Sequence, residues 1–165
     1  MSRRALVPIA VISLFIVVSL AACSSSPQGA PPKSPAFGYT LHIDAIKHIN
    51  DDPDQVVHHY AKAISDEITQ ALLYDSDAPN ARLIGIETII SERMYEALPA
   101  AEKPNWHYHK TEIPTVNARL PDLNEKEAAA VVTKLEETWG KVEIIWEPKD
   151  PVPMGFSITR PQSAR

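Results

Sequence analysis

The chain has 165 residues and a formal charge of −5, from 21 acidic and 16 basic side chains. This acidic balance argues against binding nucleic acid or anionic lipid headgroups through the body of the protein. A single cysteine excludes any disulfide within the chain, so the fold must depend on its hydrophobic core.

The N-terminal segment has the pattern of an export signal. Arg3 and Arg4 come before an apolar run over residues 5–20, and small residues lead up to Cys23. The run is shorter than the roughly 20 residues that a membrane-spanning helix needs. The ending Leu-Ala-Ala-Cys resembles the lipobox of bacterial lipoproteins, which implies cleavage after residue 22 and acylation of Cys23.

This resemblance predicts where the protein resides. We expect a location in the cell envelope, with membrane lipid as a partner through the acylated Cys23. Ser24 stands where an aspartate tends to signal retention at the inner membrane. The outer membrane is therefore the expected site in a Gram-negative host.

Composition divides the chain into four segments. Residues 1–22 are the predicted lipoprotein signal peptide, and residues 23–38 form a tether rich in proline and serine. A single folded domain is expected over residues 39–160. Residues 161–165 are expected to form a flexible tail.

The first half of the domain is predicted to be mainly strand. Residues 39–43 alternate in polarity, as in a strand with one buried face. Residues 56–72 fit either a helical stripe or two strands joined by a turn at 65–67, and we favour the two strands. The isoleucine-rich stretch 82–90 is typical of a buried strand.

The second half carries the clearest helix signals. Ser91 is a predicted helix N-cap, and Asn124 with Glu127 forms the pattern of a capping box. The predicted elements are a short helix after Ser91, an extended piece at 106–113, a helix at 125–139 ended by Gly140 and a strand at 142–146. The expected fold class is α+β, a mostly antiparallel sheet with two or three helices.

Four sequence blocks resemble the oil body-associated protein family, a domain of unknown function found in plants, fungi and bacteria. They are HHY at 58–60, QALLYDSD at 70–77, ARLIGIE at 81–87 and WHYH at 106–109. Their order and spacing extend the resemblance over nearly the whole domain. It implies residence at a lipid surface, because plant members associate with seed oil bodies, and it implies no particular reaction.

The histidines are the main candidates for chemistry. His107 and His109 are two residues apart, so on a strand both rings point to one face and can begin a transition-metal site. The resemblance implies the further ligands, His59 and Glu87, because both lie in the blocks that carry it; Asp75 is another candidate on the same ground. The implied cofactor is a divalent transition metal.

The same residues also suit a structural role, and both interpretations stay open. Neutral histidines commonly hydrogen-bond to buried carboxylates, and Arg82 can form an ion pair with Asp75 or Glu87. His58 is adjacent to His59, so on a strand only one of the two can join the site. Glu112 is an odd number of residues from His107 and His109, so a regular strand would turn it away.

Two functions follow from these patterns. The leading hypothesis is a membrane-anchored lipoprotein of the oil body-associated type, acting as a non-enzymatic binding or envelope-associated module. The alternative is a metal-binding protein or metal-dependent enzyme with a His-x-His site. Trp106 is the candidate for an exposed interface residue, whereas Trp139 and Trp146 are expected in the core.

Overall fold

The computed structural model describes residues 34–154 and 157–159, which are built around one antiparallel sheet. The predicted signal peptide, Cys23, most of the tether and the tail at 161–165 lie outside the described residues. The strands are β1 (Leu41–Ala45), β2 (Val57–Ala63), β3 (Ile68–Tyr74), β4 (Leu83–Ser91), β5 (His107–Tyr108), β6 (Thr138–Ile144) and β7 (Ser157–Thr159). Their order across the sheet is β1-β2-β3-β4-β6-β5, and β7 also pairs with β6.

Strands β1 to β4 form a meander of consecutive antiparallel neighbours. Residues 56–72 therefore form two strands and not a helix, as favoured from the sequence. In β2 the buried residues Val57, His59 and Ala61 alternate with less buried ones, which is the period of a strand with one face against the core. The turn is closed by the amide of Ile64, which donates to the carbonyl of Ile68 at 2.8 Å.

The described residues include three α-helices beside the sheet: α1 (Glu92–Glu96), α2 (His109–Glu112) and α3 (Glu125–Leu135). Both predicted N-caps are confirmed. The Ser91 hydroxyl accepts from the amide of Met94, and the Asn124 and Glu127 side chains form the predicted capping box. These caps could be read locally because each satisfies amides that the first helical turn leaves free.

The predicted end of α3 was wrong. The helix stops at Leu135, and Thr138 and Trp139 pair with Ser91 and Ile90 of β4. Gly140 is consequently a residue of β6 and not a helix terminator. The reason is a tertiary contact. Strand β4 pairs with seven residues of β6, and this pairing includes the residues that the sequence predicts as the last turn of the helix.

The expectation of an extended piece at 106–113 was also wrong for most of its length. Only His107 and Tyr108 are strand, and α2 begins immediately at His109. A 3-10 turn, Ile113–Thr115, follows and contains Pro114. This change from strand to helix decides the geometry of the candidate site described below.

The hydrophobic core lies on one face of the sheet. Its fully buried members include Val57, Leu73, Ile84, Val142 and Ile144. The described residues form a single domain that is mostly sheet with some helix, compatible with the α+β prediction. None of the helices in the described part of the chain is long and apolar enough to cross a membrane.

Candidate metal centre

The sheet register places three polar side chains on the same face as the core. Glu87 of β4 and His59 of β2 both have buried, inward-facing positions in their strands. In β4, Ile89 is two residues beyond Glu87 and pairs with Gly140, which in turn pairs with His107. Because paired residues in neighbouring strands share a face, His107 points to the same side as Glu87.

The carboxylate of Glu87 is the centre of the cluster. Its Oε1 lies 3.4 Å from Nε2 of His107 and 3.2 Å from Nε2 of His109. Its Oε2 lies 3.8 Å from Nε2 of His59. All four side chains are buried, with Glu87 only 5% exposed. Four ionisable groups held this close and away from water need either protons or a cation between them.

Gly140 keeps the middle of this cluster open. A Cβ atom added at Gly140 would lie 2.7 Å from Nε2 of His109 and still closer to Oε1 of Glu87 and Nε2 of His107. The three donor atoms therefore surround one point directly above the Gly140 Cα. Any side chain at this position would fill the space that the donors share.

The spacing of the donors fits a metal ion. With metal–ligand bonds of about 2.0–2.1 Å, neighbouring ligand atoms in a tetrahedral site lie about 3.3–3.4 Å apart. The two distances from Glu87 Oε1 to His107 and His109 are 3.4 and 3.2 Å. Two imidazoles and one carboxylate also form the ligand set of many iron and zinc sites.

A hydroxyl behind His109 fixes which ring nitrogen faces the cluster. The Thr138 hydroxyl donates to the carbonyl of Leu135 at 2.6 Å, and its oxygen lies 2.8 Å from Nδ1 of His109. The hydrogen-bond network therefore assigns the proton of a neutral His109 to Nδ1. Its Nε2 then presents a lone pair to the lone pairs of Glu87, which is unfavourable unless a proton or metal lies between them.

His59 is held in the same way. Its Nδ1 lies 3.1 Å from the carbonyl oxygens of both Ile43 and Val57, so it donates its proton there and leaves Nε2 free towards Glu87. Burial, together with the neighbouring His48, lowers the pKa of His59 to about 4. His59 is accordingly neutral at physiological pH, as a metal ligand must be.

His107 has a different environment, because two carboxylates face it. Burial would lower the pKa of His107, but the nearby carboxylates of Glu112 and Glu87 outweigh it and raise this pKa to about 10. Burial likewise disfavours the charged forms of Glu87 and Glu112, yet their histidine neighbours keep both pKa values below the usual range. Without a metal, His107 is therefore the protonated imidazolium of the cluster.

This ion pair is poorly aligned. Nε2 of His107 lies 2.9 Å from Oε2 of Glu112 and 3.4 Å from Oε1 of Glu87. Even so, this buried nitrogen has no hydrogen bond of acceptable angle to any described residue. The ring is oriented towards the space between the two carboxylates. A metal ion in that space would satisfy the nitrogen better than either oxygen does.

Glu112 joins the cluster against the sequence expectation. A strand through 106–113 would have pointed it away, but the helical turn of α2 returns it towards His107. The sequence also gave no reason to include His48, whose ring packs edge-on against His59 with centroids 4.7 Å apart. A helix signal at His109 would have been needed to find Glu112, and the four-residue α2 is too short to give one.

A small cavity opens beside the cluster. Its volume is about 50 Å³, and its polar end is formed by His48, His59, Glu87, His109 and Glu112. Apolar side chains, including Val132 and Leu135 of α3, form the rest of its wall. The space can hold a water or a ligand of few atoms next to the donors, so one side of the centre stays open.

The other candidate residues lie elsewhere. Asp75 accepts from the backbone amide and guanidinium of Arg82, and Arg82 also donates to the carbonyl of Pro148 at 3.0 Å. These bonds secure the β3–β4 connection and are structural. His58 points away from His59, to the opposite face of the sheet, as expected for adjacent strand residues.

The tryptophan expectations need correction. Trp106 is only 9% exposed, and its indole nitrogen lies 3.3 Å from Glu102 Oε1, so it is not an open interface residue. Trp106 directly follows the 3-10 turn Lys103–Asn105, and its backbone amide donates to the carbonyl of Lys103. Trp139 is half-buried and stacks between Tyr95 and Tyr108, whereas Trp146 packs against the core as expected.

The lowered pKa of His59 predicts how the metal-free protein responds to acid. The folded state excludes a proton that the unfolded chain binds below pH 6.5, so stability falls as pH drops from about 6.5 to about 4. The loss is about 3 kcal/mol of unfolding free energy. Urea unfolding in the presence of a chelator should show this slope, and His59→Gln should flatten it. An unchanged slope in the variant would contradict the assignment of His59 as a buried neutral ring.

Comparison with known proteins places the chain in a family. Residues 33–160 match the family described as "Protein of unknown function (DUF1264)". The chain is 35% identical to oil body-associated protein 2C of Arabidopsis thaliana over 73% of its own length and 53% of the relative's. It is 32% identical to oil body-associated protein 1A of Zea mays over 70% and 50% of the two lengths.

The chain spans about half the length of these curated relatives. No solved structure matches it significantly. The family match covers most of the chain, including every residue of the candidate centre. The chain therefore belongs to the DUF1264 family of proteins of unknown function, and it resembles the oil body-associated proteins of plants.

Proposed function

We propose that this protein is a membrane-anchored metal-binding protein. The observation that carries the proposal is the convergence of Glu87, His107 and His109 on the point above Gly140 that a Cβ atom would fill. His59 and Glu112 stand close enough to complete the coordination. The occupant is a divalent transition metal, since imidazole nitrogen with carboxylate oxygen suits Zn²⁺ or Fe²⁺.

Charge balance supports a dication. Glu87 and Glu112 are both held in the charged form by their histidine neighbours, and His59 is neutral. Without a metal, the His107 imidazolium lies between the buried carboxylate of Glu87 and the partly exposed carboxylate of Glu112. A divalent ion that displaces this proton leaves the centre neutral, which lowers the cost of burying the carboxylates.

The surroundings support metal binding as well. Ligating histidines in metal sites usually donate their second N–H to a carbonyl, hydroxyl or carboxylate. His59 donates to two carbonyls, and His109 donates to the Thr138 hydroxyl. Such partners fix the orientation of the imidazole rings that bind a metal. In a purely structural cluster we expect the imidazole N–H groups to point towards the carboxylate instead.

The anchor is part of the proposal. The signal-like segment and Cys23 support attachment to membrane lipid in the cell envelope, at the outer membrane in a Gram-negative host. The proline-rich tether would let the domain stand away from the lipid surface. The cavity beside the donors has room for a water or a small ligand next to a bound ion.

Metal content tests the centre directly. The full chain, purified in detergent without a histidine tag and loaded with Zn²⁺, should retain tightly bound zinc measured by elemental analysis. Gly140→Ala should lose the ion of this centre, because the added methyl group occupies the space between the donors. Gly85→Ala is the matched control, since its Cβ would meet the backbone of Glu143 and a side chain of Ile144 but no donor.

The outcome separates steric damage from loss of a site. If both glycine variants are destabilised but only Gly140→Ala loses metal, the proposal stands. Equal metal retention in Gly140→Ala and in the unmodified protein would show that the donors around Gly140 do not bind an ion.

The Thr138 hydroxyl gives a second, subtler test. Thr138→Val removes the acceptor behind His109 while keeping a β-branched side chain of similar size. Zinc affinity should fall about 10–100-fold, as for other partners of metal-bound histidines. Thr133→Val is the control, because that hydroxyl bonds only within α3, to the carbonyl of Ala129. Competition titration against a chelator would measure both, and equal affinities would argue against His109 as a ligand.

The anchor has its own experiment. Cys23→Ala should abolish incorporation of a labelled fatty acid and move the protein out of the membrane fraction. The released protein should keep its metal, since the centre lies wholly within the domain. A variant that still carries the lipid label would show that acylation occurs elsewhere.

A further inference from the structure

We propose a second metal site on the opposite face of the sheet, formed by His42, Asp44 and His58. It would take a divalent transition metal, and it is independent of the centre around Glu87. All three donor residues belong to the β1–β2 hairpin.

The strand period brings the three residues together. His42 and Asp44 are two apart in β1, so they share a face, and Asp44 pairs directly with His58 in β2. Ile43, which lies between them, pairs with His59 and faces the first centre. The pleat of the sheet thus sends neighbouring histidines 58 and 59 into two separate clusters.

The donor atoms are packed at ligand spacing. Oδ1 of Asp44 lies 3.0 Å from Nε2 of His42 and 2.7 Å from Nδ1 of His58. The two ring nitrogens lie 3.3 Å from each other. All three distances approach the edge of about 3.3 Å expected for a tetrahedral site with bonds of 2.0–2.1 Å. One ion can therefore touch all three atoms with little movement.

The partner of Nδ1 of His42 determines whether Nε2 of the same ring carries a proton or a lone pair. Nδ1 of His42 lies 3.4 Å from Oδ2 of Asp122, which can accept its proton. In the neutral ring Nε2 then presents a lone pair to Asp44 and His58. The ring is fixed in this position because it stacks on Tyr60, with centroids 4.5 Å apart and planes 12° from parallel.

The carboxylate of Asp44 gives an independent indication that a cation binds between these three residues. Its Oδ1 is buried, and among the described residues no donor reaches it at an acceptable hydrogen-bond angle. An unsatisfied buried carboxylate oxygen is costly. A metal ion in the middle of the triangle would satisfy this oxygen together with both ring nitrogens.

The second site is more exposed to solvent than the centre around Glu87. His42 is buried, but the Asp44 side chain is 22% exposed and Asp122 is mostly exposed. Only one carboxylate lies within bonding reach of the ion, so the second site should bind more weakly and exchange its ion faster. Weak binding should make the two sites separable in a titration.

Titration with Co²⁺ as the probe tests the proposal. The full chain in detergent, without a histidine tag and stripped of metal, should bind two equivalents with different affinities. His58→Gln and Asp44→Asn should each remove the weaker equivalent and keep the tighter one, whereas Gly140→Ala should do the reverse. Asp66→Asn, an exposed carboxylate in the β2–β3 turn, is the matched control and should keep both.

The possible results separate the two proposals. Loss of the weaker equivalent in both hairpin variants, with circular dichroism unchanged, supports the second site even if the first centre proves empty. A Co²⁺ equivalent that is retained in Gly140→Ala and survives both hairpin variants overturns the second site, as does an unmodified chain that binds no equivalent beyond one lost in Gly140→Ala. If Asp44→Asn does not fold, His58→Gln decides the matter, since it leaves Asp44 in place.

Discussion

The buried carboxylate of Glu87 is the constraint on which the rest of the candidate centre depends. A charged carboxylate inside a sheet is tolerated only when cations or donors surround it. Here three histidines from different parts of the chain converge on it, from β2, from β5 and from the start of α2. The register that brings them together also requires a glycine at position 140, because any side chain there would collide with the donors.

A metal-free explanation of the cluster has to use protons. His107 then carries one, between Glu87 and Glu112, whose carboxylates raise the pKa of His107. Protonation of His107 leaves two features of the cluster unexplained, however. The His107 nitrogen is misaligned with both oxygens, and His109 directs a lone pair at Glu87 because Thr138 holds its proton. A metal ion accounts for both features at once.

The six histidines of the chain divide between the two faces of the sheet. His48, His59, His107 and His109 lie at the buried centre or at the cavity beside it, and His42 and His58 lie on the other face. The two proposed sites together would place metal on both sides of a single sheet. The names of the oil body-associated relatives specify no reaction.

Local patterns in the sequence predicted local structure well. The strands of the β2–β3 hairpin, the Ser91 cap and the Asn124 capping box depend on neighbouring residues, and the structure agrees with each of them. His107 and His109 could be named from residue type and spacing, and His59 and Glu87 from their place in the blocks that carry the family resemblance. Glu112 and Gly140 could not, because their roles depend on a four-residue helix and on strand pairing that only the tertiary fold determines.

Anomalous diffraction from crystals of the metal-loaded protein, collected at the absorption edge of the metal, tests the central claim most directly. The account predicts a strong peak above the Gly140 Cα, about 2.0–2.2 Å from Glu87, His107 and His109. The absence of a peak there, with His107 turned to form a well-aligned hydrogen bond to Glu112, would contradict it. The cluster would then be a proton-bridged structural element of the sheet.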